Sequence, residues 1–285
     1  MTTIRSVSAS ISPTAHYTGQ VWLRHGLSYP ALQTLPGQIF YRALQPAMAV
    51  SQRLGGPTLE HFLLARHQLI DLLLTRAIEA GEVSQVIEIA AGLSPRGLRF
   101  AQRYGERISY IEADLPAMAA TKRRLIAPLI SNGKNHRVVA LDALATSGPL
   151  SLSAACKTLD PKQGTAIITE GLLNYFDRPN VEYMWASFGC ALAGFRQGLY
   201  LSDLHLAASN QGAIANAFVL MLSAFVRGRV HLHFANASEA EAALAKHGLH
   251  GSLLRPQDYA DQLPACGSVG ARLVRVIAAR TALGH

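Results

Sequence analysis

The chain is poor in charge, poor in cysteine and without a long hydrophobic run, and each shortage removes a class of protein. Only 15% of its 285 residues are charged, against 49% hydrophobic. That balance excludes a disordered chain and supplies ample material for a core. The three cysteines, Cys156, Cys190 and Cys266, are far apart and odd in number, which fits reduced thiols and neither a disulfide frame nor a zinc cluster. The longest apolar stretch, Ala213 to Val226, contains Asn216 and falls short of the roughly 18 residues that span a bilayer. Near the start only Arg5 is basic and no apolar segment follows it, so no signal peptide is expected and the expected location is cytoplasmic.

Motifs are missing too. There is no Gly-x-Gly-x-x-Gly and no phosphate loop ending in Gly-Lys-Ser/Thr, which disfavours a dinucleotide-dependent oxidoreductase and an NTPase. Hydrolase and metalloprotease readings lack the Gly-x-Ser-x-Gly elbow and the His-Glu-x-x-His helix. The net charge of +8 invites a nucleic-acid reading. Its basic residues are scattered, however, with short clusters only at Lys122-Arg-Arg124 and Arg227-Gly-Arg229, neither interleaved with aromatics. The expected partner is therefore a small molecule, with neither nucleic acid nor membrane, and the protein is expected to be a monomer or homodimer. His231-x-His233 would place two imidazoles on one strand face, but zinc needs further ligands that the neighbourhood does not offer, so no metal is expected.

What is present is a series of apolar runs that end in polar residues. Val86-Ile-Glu-Ile-Ala-Ala-Gly92 is a short strand ending in small residues, directly before a helical segment at Leu98 to Tyr104. Such a turn lets a ligand approach the backbone, and the carboxyl ends of parallel strands are where open α/β sheets bind ligands. About twenty residues on, Ile108 to Pro116 ends in Glu112 and Asp114. A carboxylate there can accept two hydrogen bonds from a ribose hydroxyl pair, although Asp114 before Pro116 also suits a helix cap. Val138 to Leu144 carries Asp142, with Ala143 beside it, suited to an adenine amino group. Thr165 to Asp177 carries Glu170, Asn174 and Tyr175.

Taken together, Glu88-Ile-Ala-Ala-Gly-Leu, Glu112-Ala-Asp-Leu-Pro with Lys122, and Glu170-Gly-Leu-Leu-Asn-Tyr resemble the motifs of the leucine carboxyl methyltransferase family. That family includes O-methyltransferases of specialised metabolism. The resemblance covers about residues 58 to 177. It implies the class I methyltransferase architecture: an α/β, Rossmann-like, mostly parallel seven-stranded sheet with helices on both faces. It also implies S-adenosylmethionine as cofactor. Two departures stand out: Ala90 replaces the family's first glycine, and Ser94-Pro95-Arg96 replaces its Asp-Thr-Arg. The resemblance further implies that Glu88, Ala90, Gly92, Asp114, Asp142, Ala143 and Glu170 line the cofactor. It also implies that Arg66 grips the cofactor's carboxylate, which a guanidinium does with two parallel bonds.

Residues 1–57 read as short helices broken by Pro13, Pro30, Pro36, Pro46 and Pro57, forming a helical cover in which Tyr17 and Trp22 are substrate or lid candidates. Residues 58–285 form the cofactor-binding domain. Thr58 caps a strong helix to Ile78, with an apolar stripe through Leu59, Phe62, Leu63, Ile70, Leu73 and Leu74. A fifth strand ends at Asp203 and His205, the latter a further substrate candidate. A small-residue helix at 207–226 and the segment to Phe234 form a lid insertion around 206–235. A helix at 237–247 is capped by Ser238, and Ala271 to Ala279 is a reversed last strand. Asn174 orients a nucleophile and the face of Tyr175 stabilises the sulfonium, a contact of about 0.5–2 kcal/mol. The expected reaction is methyl transfer to a carboxylate or hydroxyl of a small molecule. Two alternatives keep the same cofactor: cyclisation of S-adenosylmethionine to azetidine-2-carboxylate with release of methylthioadenosine, and a non-catalytic cofactor-binding protein.

Overall fold

A computed structural model describes residues 13–130, 135–207 and 231–282. Seven strands form a single sheet in the order β3-β2-β1-β4-β5-β7-β6. They are β1 (Gln85–Ile89), β2 (Ser109–Asp114), β3 (His136–Ala140), β4 (Gly164–Thr169), β5 (Gln197–Leu204), β6 (His250–Leu254) and β7 (Arg275–Arg280). The first five are parallel, and β7 inserts antiparallel between β5 and β6. That is the seven-stranded, reversed-hairpin sheet expected from the sequence. The sheet is covered on both faces, which is why its central strands are apolar throughout and not alternating. On one face Ile87, Ile89, Ile111, Trp185, Phe188 and Tyr200 form a core with α7 (Arg178–Ala193). On the other, Val86, Tyr110, Ala166, Ile168 and Leu201 pack with α3 (Leu59–Glu79) and α4 (Arg96–Tyr104).

The two-residue pleat repeat then decides where the strand-end carboxylates go. Glu88 lies on the face of Val86, Glu112 on that of Tyr110, Glu170 follows Ile168, and Asp203 follows Leu201. All four project toward α3 and α4, and Glu88 and Glu112 are register partners.

α1 (Pro13–Arg24) and α2 (Leu35–Arg53) precede α3. The expectation of short, proline-broken helices fails at α2, which runs on through Pro46. A proline inside a helix removes one N–H and crowds the carbonyl four residues back, and packing of Met48 and Leu44 into the Tyr17–Leu59–Phe62 cluster holds the helix together across it. Pro36 sits in the first turn, where no N–H is needed. α3 begins as expected: the Thr58 hydroxyl accepts from His61 N–H at 3.2 Å. α5 spans Pro116–Ile126 and α6 Leu152–Cys156.

Three other expectations are corrected. Residues 231–234 are not a strand, because His231 N–H bonds to Asn174 O and Ala207 N–H to Phe234 O, which tie the segment to loops. The helix after it, α8 (Ala237–Lys246), is capped by Asn236, whose side chain accepts from Glu239 N–H, and not by Ser238. The last strand starts at Arg275; Val269–Leu273 is a 3-10 turn. The expected helix at 207–226, and with it most of the lid insertion around 206–235, lies outside the described residues.

Candidate active site

The helical turn that opens α4 aims Arg96 beneath the carboxyl ends of β1 and β4. Its guanidinium is fully buried and nearly every N–H is used. Nε donates to Asp71 Oδ1 at 2.5 Å, Nη1 to Glu88 Oε1 at 2.7 Å, and Nη2 to Glu170 Oε2 at 2.5 Å. His67 Nδ1 lies 2.9 Å from both Glu170 Oε2 and Arg96 Nη2. Arg66, next along α3, donates to Glu170 Oε1 at 3.2 Å and to Asp203 Oδ2 at 2.7 Å. Tyr110 completes the knot with a 2.7 Å bond to Glu88 Oε2. Burial opposes ionisation of Glu170, but His67, Arg96 and Arg66 outweigh it and hold its carboxyl far below the usual range. Asp71 behaves alike: burial is outweighed by His67, Arg96 and Arg99.

A second buried set stands under β2. Glu112 accepts from Lys122 Nζ at 2.7 Å and meets His136 Nε2 at 2.9 Å. Burial would raise its pKa, yet the two partners lower it. Lys122 Nζ also reaches Ala91 O at 3.4 Å, beneath the loop after β1. The lysine that the family motif spaces eight residues past Asp114 thus acts as a buried strut.

Above this charged floor lies a rim of a different kind. The loop after β1 carries two left-handed residues, Ala90 at φ 56° and Gly92 at φ 49°. Gly92 N–H donates to Asp114 Oδ2 at 2.7 Å, and Leu115 N–H to Oδ1 at 2.7 Å. Asp114 is therefore both a loop clamp and a carboxylate with lone pairs to spare, since each oxygen accepts a single bond. Burial raises its pKa more than those bonds and Lys122 lower it. Asp142 Oδ1 accepts from Leu144 N–H at 3.0 Å in the turn after β3, with Ala143 between them. The turn holds both next to Leu141, whose N–H bonds to Asp114 O.

After β4 the chain turns through Gly171 at φ 68°, where an added Cβ would stand 2.8 Å from an Arg66 guanidinium nitrogen. Gly171 N–H donates to Asp203 Oδ1 at 2.6 Å. Asn174 spends both ends of its amide on bracing: Nδ2 donates to His231 O at 2.6 Å and Oδ1 accepts from His205 N–H at 3.3 Å. Tyr175 is 37% exposed, and burial of its phenol raises its pKa. His205 is buried, with Nδ1 2.7 Å from Leu273 O. A carbonyl can only accept, so Nδ1 carries the proton and Nε2 is the lone-pair nitrogen. Burial lowers the pKa of His205 and keeps it neutral.

α1 roofs this region. A Cβ on Gly92 would touch Ala15 Cβ at 3.4 Å. Trp22 lies over the His67 ring at 4.8 Å, and Tyr17 is fully buried in the cluster that joins α1 to α3.

The fold thus brings Glu88, Ala90, Gly92, Asp114, Glu170, Arg66, Asn174, Tyr175 and His205 to one end of the sheet, with Asp142 and Ala143 at its β3 side. It divides them, however. Glu88, Glu170 and Arg66 are committed to one another's network, whereas Asp114 keeps lone pairs to spare and Tyr175 a partly exposed ring. Arg96, His67, Asp71 and Asp203 complete the floor and were not expected in it. Arg96 was legible only as the residue where the chain returns to the family's Asp-Thr-Arg, and the i, i+4 pair His67 and Asp71 was the other available signal. Glycine and alanine at the loop, a clamped carboxylate one strand over and a partly exposed aromatic in the turn after β4 fit an adenosyl ligand with a cationic sulfur.

Comparison with known proteins shows the family and the fold. The sequence profile of the leucine carboxyl methyltransferase family matches residues 37–186. No curated protein has a sequence that matches the chain significantly. Among solved structures, a protein of Thermobifida fusca YX named as a candidate methyltransferase superposes with a TM-score of 0.62 at 17% identity, over 94% of this chain and 97% of the other. A DUF574-family protein of Streptomyces avermitilis MA-4680 superposes with a TM-score of 0.63 at 12% identity, over 93% and 97%. With its motif residues gathered at the carboxyl end of a seven-stranded class I sheet, the chain belongs to the leucine carboxyl methyltransferase family and is an S-adenosylmethionine-dependent methyltransferase.

Proposed function

We propose that the chain transfers a methyl group to an oxygen, carboxylate or hydroxyl, of a small molecule held between the β1 loop and Tyr175. When bound, S-adenosylmethionine supplies an electrophilic methyl on a sulfonium. The remaining work is placement in a site that excludes water, together with a base if the acceptor is not already ionised. Asp114 holds the ribose and fixes the loop at Gly92; Asp142 and Ala143 face the adenine. Tyr175 presents its ring to the positive sulfur. The floor formed by Arg96, Glu88 and Glu170 keeps these groups at fixed spacing. Arg66 keeps the cofactor's carboxylate end in place from its seat between Glu170 and Asp203. Residues 1–57 act as the cover of a domain formed by 58–285, with Tyr17 and Trp22 fixing the α1 roof.

The observation that carries this reading is His205. Its Nδ1–H is committed to Leu273 O, which leaves a neutral Nε2 able to take a proton from a hydroxyl. The carboxylates of the floor, by contrast, are spent in ion pairs and cannot act as bases.

The test is a single incubation with S-adenosylmethionine, with and without an oxygen-acceptor library, followed by mass spectrometry. S-adenosylhomocysteine that forms only with an acceptor, carrying the methyl on oxygen, is the expected result. Methylthioadenosine released without any acceptor would replace methyl transfer by cyclisation, and tight binding without turnover would leave a cofactor-binding protein.

A further inference from the structure

α2 buries Gly37 and Met48 on one side and exposes a row of apolar residues on the other. Leu35 is 70% exposed, Ile39 56%, Val50 57%, and Leu54 at the carboxyl cap 79%. Ala43 and Pro46 lie exposed between them. At 3.6 residues per turn these six positions fall within an arc of about 100°. The row therefore forms one continuous stripe, whereas isolated exposed apolar residues would need no explanation.

The order of residues along the stripe names its occupant. Run antiparallel against a second α2 about a two-fold axis between Leu44 and Gln45, the stripe matches itself at every position. Leu35 meets Leu54, Ile39 meets Val50, and Ala43 meets Pro46. Large side chains face large ones at both ends, and small ones face each other at the centre, where two helix axes can come closest. Self-matching of this kind is what a two-fold interface requires, because the same patch serves both subunits. A lipid surface would instead favour bulky aromatic and leucine side chains through the middle of the stripe, where this one has Ala43 and Pro46. α2 contains no acidic residue, and its two arginines, Arg42 and Arg53, lie opposite Ala47 and Pro36 in this pairing. Each guanidinium thus avoids facing its own copy.

We propose that the protein forms a two-fold homodimer through antiparallel pairing of α2, with a second copy of this chain as the occupant of the stripe. One helix pair covers less than the roughly 800 Å² per partner of a stable interface, so the dimer dissociates at micromolar concentrations. α2 packs on α1, and α1 roofs the loop at Gly92, so the interface buttresses the cover without contributing a residue to the site. The proposal stands apart from the choice of methyl acceptor.

The test is sedimentation equilibrium of the full chain from about 1 to about 100 µM, the range in which small interfaces dissociate. A monomer–dimer equilibrium is expected, and Ile39→Glu should weaken it at least tenfold with an unchanged circular dichroism spectrum and melting temperature. Register is read by oxidative cross-linking in a Cys190→Ser background. A mixture of Ile39→Cys and Val50→Cys chains should cross-link, and neither alone should, because in the antiparallel pair two copies of position 39 are about 16 Å apart along the axis. A monomer at every concentration, self-linking of Ile39→Cys, or anionic phosphatidylserine vesicles capturing a protein that stays monomeric without them would each overturn the proposal.

Discussion

Glu88 and Asp114 stand at the ends of neighbouring strands, yet they do opposite things. Glu88 is 1% exposed, with one oxygen on Arg96 and the other on Tyr110. Asp114 is partly open, and its two oxygens hold only backbone N–H groups. The same division separates Glu170 and Asp203 from Asp142. A carboxylate inside a closed ion-pair network stabilises only through its partners, and removing one of them leaves an uncompensated buried charge. A carboxylate at the rim keeps lone pairs for a ligand. Motif position alone does not distinguish the two; the neighbours that the sheet's pleat assigns to each do.

The comparison breaks most sharply at Arg96. Arg96→Met should cost about 3–5 kcal/mol, because Glu88, Glu170 and Asp71 all lose a partner, and chemical denaturation would measure it. A variant as stable as the native chain would remove the distinction between floor and rim. Asp114→Ala should do the reverse. The fold should persist while affinity for S-adenosylhomocysteine falls by about 1–3 kcal/mol, the usual cost of a lost charged hydrogen-bond partner, read by calorimetric titration. Unchanged affinity in a folded variant would reduce Asp114 to a loop clamp.

Acidity sharpens the same contrast. The folded pKa values of Glu170, Glu112 and Asp71 are depressed. Their stabilisation is therefore complete above the unfolded values of about 4 and is lost as pH falls through the folded ones. Buried neutral His205 adds a loss that begins below about 6.5. Asp114 has the opposite sign, since its pKa is raised: what it contributes is present at low pH and lost as pH rises. Melting temperature should accordingly fall gently between about pH 6.5 and 4 as His205 takes up a proton, a fall that is shallower in His205→Gln, and steeply below about pH 4 as the floor carboxylates are protonated. A flat profile below about pH 4 would mean that the floor is not ionised as drawn.

The smallest effect belongs to Ala90. A left-handed alanine costs about 1–2 kcal/mol, and glycine gives part of that back in chain entropy. Ala90→Gly should gain about 1 kcal/mol or less, seen as a modest rise in melting temperature. A loss would show that the Ala90 methyl packs against something the loop needs.

Much of this was written in the chain. β1, β2, β4 and β5 were visible as apolar runs because strands buried on both faces have little choice of residue. α3 was visible from its threonine cap and its stripe. The end of the sheet where the motif residues gather followed from polar residues at each run's close. Local signals failed where packing overruled them: Pro46 did not stop α2, Ser238 yielded its cap to Asn236, and the β7 run opens with a 3-10 turn.

Composition and periodicity determined the α/β class and the end of the sheet where polar residues gather, and the resemblance of three motifs to the leucine carboxyl methyltransferase family implied the cofactor, because these depend on residues near one another in sequence. Tertiary structure alone decided which acids are free. Glu88, Asp71 and Glu170 share one guanidinium across 100 residues of chain, and no local pattern records a contact made by strands and helices folding over one another. His205 acquired its fixed tautomer in the same way, from a carbonyl 68 residues away.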